Sequence, residues 1–120
     1  MVSIQKIDKP WGYELIWAKT DRYVGKILVI HKGHRLSFQY HQKKEETIRL
    51  AKGLVEIEVE DSKTKVRTKI KLNPNDSFHI PPCLKHRIMA LEESEVIEVS
   101  TPELNDVVRL EDDYKRIDEA

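Results

Sequence analysis

Four side chains offer the donor atoms of a transition-metal site: Gln39, His41, Glu46 and His86. Gln39 and His41 stand two apart in the run Leu36–His41, which reads as a strand, so both point to the face that also carries Ser37. Phe38 and Tyr40 then point the other way, into a second packing layer or a subunit interface. Glu46 follows the polar bend 42–45, and His86 comes just past the turn Pro81-Pro82-Cys83-Leu84-Lys85. Two imidazoles, a carboxylate and an amide oxygen form a set that suits a divalent ion. One anionic ligand would leave the site near +1, with Lewis acidity toward a substrate oxygen. Positions left open for substrate or water mark a catalytic site rather than a structural one.

The rest of the chain must hold these groups in place. Short runs rich in Val, Ile and Tyr recur along it: 13–18, 23–31, 36–41, 47–51, 54–60, 66–72, 77–80, 86–91 and 96–100. Glycines at 12, 25, 33 and 53 and five prolines punctuate them. Many short, evenly spaced strands predict an all-β sandwich or barrel. No segment sustains helical periodicity; a short helix over Glu103–Val108 is expected, with Pro102 suited to its first turn. One hairpin is legible in detail. Val55, Ile57 and Val59 alternate with Glu56, Glu58 and Glu60, and Val66, Thr68, Ile70 and Leu72 with Arg67, Lys69 and Lys71. A turn near Asp61–Lys65 would lay the acidic row beside the basic one on a solvated face. Trp17 is expected in the core.

Composition narrows the classes of function. The chain has 120 residues, enough for a single domain over 1–120. Lys+Arg and Asp+Glu total 21 each, so no basic surplus points to nucleic acid. Nothing approaches the roughly 18 apolar residues of a membrane span, and Met1–Lys9 has no apolar signal core. The lone Cys83 excludes an internal disulfide. These features predict a cytoplasmic protein with neither a nucleic-acid nor a membrane partner. The charged segment Arg109–Ala120 is expected as an ordered strap or a frayed end.

The spacing resembles a known family. Gly33 through His41 and Glu46 to Gly53 resembles the first cupin motif, with Gln39 where most cupins have His. Pro81-Pro82-Cys83-Leu84-Lys85-His86 resembles the second, with Cys83 and Asn75 where Gly is usual. Within the cupins, Gln-His-Glu-His resembles the metal set of phosphomannose isomerases. Lys9-Pro10-Trp11-Gly12, Leu36–His41, Ile80-Pro81, Lys85-His86-Arg87 and Val108–Tyr114 with Arg116 are similar to elements of one branch, the type II mannose-6-phosphate isomerase domain. That domain is usually fused behind a mannose-1-phosphate guanylyltransferase; here it would stand alone. The resemblance spans about 9–116. It departs at Lys44, often Arg, and at Ile48, often Trp.

The resemblance implies a cupin jelly-roll barrel (a double-stranded β-helix) with a short C-terminal helical or extended tail. It implies one divalent ion on Gln39, His41, Glu46 and His86: zinc first, with Mn, Co, Ni or Fe as alternatives. The implied reaction interconverts mannose 6-phosphate and fructose 6-phosphate through an enediol. Lys26 and Arg87 are the candidates for the general base. Trp11, Lys26, Lys44 and Arg87 are the candidates for binding the sugar phosphate. Strand parity turns Arg87 away from the face of His86. The rival readings are a metal-containing sugar-binding module, a different sugar isomerase or epimerase, and an Fe(II) dioxygenase on the same fold. Cupins commonly dimerise, so a homodimer is expected, with Phe38 and Tyr40 as interface candidates. His31, His34 and His79 are read as surface or hydrogen-bonded histidines, and Cys83 as a turn residue without chemistry.

Overall fold

Alternating apolar and polar residues make strands with one buried face, and this chain builds eleven of them in a computed structural model that describes residues 3–116. They are β1 Gln5–Lys9, β2 Gly12–Lys19, β3 Val24–Ile30, β4 Phe38–Tyr40, β5 Glu46–Lys52 and β6 Val55–Glu60. They continue as β7 Arg67–Leu72, β8 Ser77–Ile80, β9 Lys85–Ala90, β10 Ser94–Ser100 and β11 Val108–Glu111. All pair antiparallel, in sheets of order β1-β2-β3-β10-β5-β8 and β11-β4-β9-β6-β7. Between them lies an apolar core of Leu28, Ile30, Ile48, Leu50, Val55, Ile57, Ile80, Ile88 and Val96. This is the two-sheet cupin barrel.

The β6–β7 hairpin forms in the expected register, with Glu56 opposite Lys71, Glu58 opposite Lys69 and Glu60 opposite Arg67. Two further strands arise where the sequence offered weaker signals. β1 is mostly polar and forms by pairing along β2. β11 pairs with β4, so the C-terminal segment is an extended strap. The helix expected over Glu103–Val108 is absent. That stretch is a turn whose polar groups are used by the loop after β4, and tertiary hydrogen bonds outweigh its weak helical tendency. The end of the charged tail, 117–120, lies outside the described residues.

Strand parity at 37–41 holds. Ser37 and His41 are buried facing inward, whereas Phe38 is buried on the opposite face beneath the Arg67 guanidinium, 3.9 Å from its ring centroid. Phe38 is only 1% exposed, so it belongs to a second packing layer within this chain rather than to a free surface. Trp17 is corrected in the other direction. It is 40% exposed and lies on the outer face of β2 against Gly25, whose missing side chain leaves room for the indole. Asn75 (φ 79°) and Cys83 (φ 70°) both adopt the left-handed conformation that glycine takes most readily. The Cys83 amide donates to the carbonyl of His41 at 2.6 Å, which holds the second-motif turn against the first.

Candidate metal centre

His41 leaves the end of β4, Glu46 opens β5, and His86 lies on β9 opposite Gln39 of β4. The two sheets therefore supply the site jointly. His41, Glu46 and His86 are all buried, and their donor atoms lie within 4.8 Å of one another. Glu46 Oε1 stands 3.4 Å from His41 Nε2 and 3.5 Å from His86 Nε2. Two donors about 2.1 Å from one ion at a tetrahedral angle stand about 3.4 Å apart, so these spacings fit a shared ion. His41 Nε2 is buried without a hydrogen-bond partner, as expected of an atom facing a cation.

The tautomers are fixed from behind. His41 Nδ1 donates to the carbonyl of Asp106 at 2.5 Å, and His86 Nδ1 to that of Leu84 at 2.8 Å. Each Nε2 is left able to offer its lone pair to an ion shared with Glu46. Gln39 Oε1 accepts from the Ser37 hydroxyl at 2.6 Å and keeps a second lone pair. Burial works against ionisation of Glu46, but His41 and His86, which act on it as Nε2–H donors only while no ion takes those lone pairs, and the charge of Lys44 outweigh it and hold the carboxyl well below its usual range.

The triad opens onto a cavity of about 330 Å³. Trp11, Lys26, Lys44, Arg87 and Gln39 all border it. Lys44 Nζ sits 3.2 Å from Glu46 Oε2 and 3.1 Å from Glu98 Oε2, deep in the wall. Burial alone would ease its proton off, yet Glu98 and Glu46 raise it above the usual lysine range. Lys26 donates to Glu14 at 3.2 Å. The Arg87 guanidinium donates to the carbonyls of Leu36 and Glu111, and Trp11 packs into the core. His31, His34 and His79 lie outside the triad, bonded to Glu93, Tyr114 and Glu45.

Glu98 is the cavity residue that motif reading missed. It faces inward from β10, opposite Lys26 of β3. Burial, then the charge of Glu46, push its carboxyl up to about 7 against the pull of Lys44 and Lys26. Its neighbours explain the oversight. Val96, Glu98 and Ser100 share one face and Ile97 and Val99 the other, so both faces of β10 hold apolar residues and parity alone does not say which is inside. Glu14, Arg109 and Arg116 also border the cavity, as do Lys9 and Lys19 of the first hairpin.

Comparison with known proteins agrees with this geometry. The family model described as mannose-6-phosphate isomerase C-terminal matches residues 2–119. No curated protein matches the chain by sequence. Among solved structures, the capsular polysaccharide assembling protein CapF of Staphylococcus aureus superposes with a TM-score of 0.76 at 17% identity, over 92% of this chain and 35% of that one. KdgF from Halomonas sp. gives 0.70 at 23% identity, over 88% and 92%. Oxalate decarboxylase of Bacillus subtilis, described with Mn(II) centres, gives 0.75 at 18%, over 89% and 30%. The chain thus spans about a third of CapF and of the decarboxylase. At these identities the likeness is one of fold.

Proposed function

The chain belongs to the mannose-6-phosphate isomerase C-terminal family, and from that premise we propose that it is a metal-dependent aldose–ketose isomerase, converting mannose 6-phosphate and fructose 6-phosphate into one another. The observation that carries this reading is the buried triad His41–Glu46–His86 facing a cavity whose wall holds a further carboxylate, Glu98. A divalent ion held by the triad, with the Gln39 oxygen on the same wall, would acidify the hydrogen on C2 and stabilise negative charge on the sugar oxygens.

The chain's own residues supply the rest. Glu46 belongs to the triad; of the two other cavity carboxylates Glu14 pairs with Lys26 and Glu98 with Lys44, and Glu98 is assigned the proton because it shares Lys44 with Glu46 and so stands beside the triad. In the aldose-to-ketose direction Glu98 takes the proton from C2, the electron pair of that C–H bond forms the C1–C2 double bond, and the C1=O1 π pair moves onto O1, which is protonated to give the enediol. In the second half O2 loses its proton, C2=O2 forms and the C1–C2 π pair takes up the proton at C1. Glu98 returns that proton to C1, and the net hydroxyl transfer is from O2 to O1. No redox partner is needed. Lys44, between Glu98 and Glu46, holds the two carboxylates in place rather than gripping phosphate. The phosphate is assigned to the cationic lining of Lys9, Lys19, Arg109 and Arg116.

The test is turnover of mannose 6-phosphate by the metal-reconstituted chain, beside His86→Ala. Conversion that disappears in the variant supports the reading. Absence of turnover with Zn, Mn, Co and Ni alike overturns it and leaves a cupin acting on another sugar or a metal-containing sugar-binding module.

A further inference from the structure

The bend 42–45 joins two residues of the triad, His41 and Glu46, and four consecutive backbone N–H groups in it point at the segment that leads into β11. Gln42 donates to Asp106 Oδ1 at 3.1 Å, and Lys43 and Lys44 donate to Oδ2 at 2.6 and 2.9 Å. Glu45 donates to the Thr101 hydroxyl at 2.9 Å, and Thr101 donates back from its amide to the Glu45 carbonyl at 3.0 Å. The carbonyl of Asp106 also accepts from His41 Nδ1. One residue thus gathers three successive amides into an anion-binding nest and orients the imidazole beside it.

We propose that Asp106 is a positioning residue of the metal centre: it docks the C-terminal strap onto the bend and thereby fixes His41, and the Lys44 that follows, in the geometry that receives the ion. Two features carry this. The backbone contact selects the His41 tautomer with Nε2 free, as the partners behind metal-binding imidazoles do. The side-chain contacts hold the loop at the spacing that brings His41 Nε2 within 3.4 Å of Glu46. A bend without its acceptor would satisfy its amides with water and release both ligands from a common position.

The inference rests on the triad binding a metal, not on the reaction assigned to it, and its readout is binding. Co(II) and Zn(II) affinities are measured for the unmutated chain, Asp106→Ala, Asp106→Asn and Asp113→Ala, together with the Co(II) ligand-field spectrum. Asp113 bonds Arg35 on the same strap but does not touch the bend, so it controls for general loosening. Asp106→Ala removes the acceptor of the three bend amides and keeps the carbonyl that receives His41 Nδ1, so the expected result is an affinity loss of about 10-fold, the low end for such outer contacts, with an altered Co(II) spectrum. Asp106→Asn, which keeps one carbonyl acceptor, should lose less, and Asp113→Ala should stay within about twofold. Unchanged affinity and spectrum in Asp106→Ala overturn the proposal, as does an equal loss in Asp113→Ala. Should the alanine variant not fold, Asp106→Asn decides alone: an intermediate loss supports the proposal and unmutated affinity overturns it. An unmutated chain that binds neither ion takes down the metal centre and this inference together. An unmutated chain that binds metal without isomerising mannose 6-phosphate takes down only the proposed reaction.

Discussion

Strand β9 separates two clusters of charge, one residue apart: His86 faces the triad, whereas Arg87, at the edge of the cavity, turns its guanidinium to the strap, and both are buried. On the inner side stand Glu14, Lys26, Lys44, Glu46 and Glu98, each at most 9% exposed. On the outer side Arg87 meets Glu111 and Asp113, Arg35 holds Asp113 at 2.7 Å, and Arg67 bonds Glu111 and Glu60 while covering Phe38. The inner charges are buried in the cavity wall, so each depends largely on its neighbours for compensation. The outer ones, Arg87 apart, reach solvent and fasten the strap to the sheet. Burial of the first kind fits a reaction site, and the second kind a seam. The same strand serves both because its side chains alternate.

The sharpest break of this contrast is on the inner side. His86→Ala should abolish turnover and metal binding together, checked by assay and metal content of the same sample. Glu98→Gln keeps the shape of the wall and removes the proposed proton carrier. It should lower kcat about 10²–10⁴-fold while the metal affinity stays unchanged; a parallel loss of metal would make Glu98 part of the centre instead. Lys44→Met leaves Glu46 and Glu98 as buried carboxylates without their cation. Removing one partner of such a cluster typically costs about 3–5 kcal/mol, to be read by denaturant unfolding of the metal-free chain.

Outer-side changes should be smaller. Arg67→Ala removes ion pairs that solvent screens and the cation above Phe38, for about 1 kcal/mol. High salt should shrink that difference while leaving the Lys44→Met effect in place, because screening acts on exposed charges. Acid provides the gentlest probe. Hydrogen bonds from Arg67 and Arg35 hold Glu111 and Asp113 below the usual carboxylate range. At Asp112 burial opposes ionisation, but the Arg116 side chain and backbone N–H overcome it and lower the carboxyl to about 2. All three pKa values fall on folding. Their stabilisation is therefore complete above the unfolded values near 4 and is lost as pH drops through the folded ones. Thermal midpoints should decline between about pH 4 and pH 2. Asp112→Asn should flatten that decline, and an unchanged slope would remove Asp112 from the account.

The sequence was most legible where chemistry and periodicity coincide. Gln39 and His41 announce a shared face by their spacing, and the β6–β7 hairpin announces its register by alternation. The parity that turned Arg87 away from His86 was equally local; the Glu111 carbonyl that receives its guanidinium was not. Trp17 looked like core because it is large and apolar, but its strand position faces outward, where Gly25 gives it a shallow seat.

By itself, then, the sequence determined the strands that alternate, the hairpin and the residues able to ligate a metal, because those follow from residue type and from separations of a few positions. Only the tertiary structure decided that Glu98 faces the cavity, that Lys44 lies between two carboxylates, and that Asp106 holds the bend between His41 and Glu46. Each of those is a contact between segments far apart in the chain. Such a contact is set by which strands neighbour one another across the barrel, and no local pattern of residues records that neighbourhood.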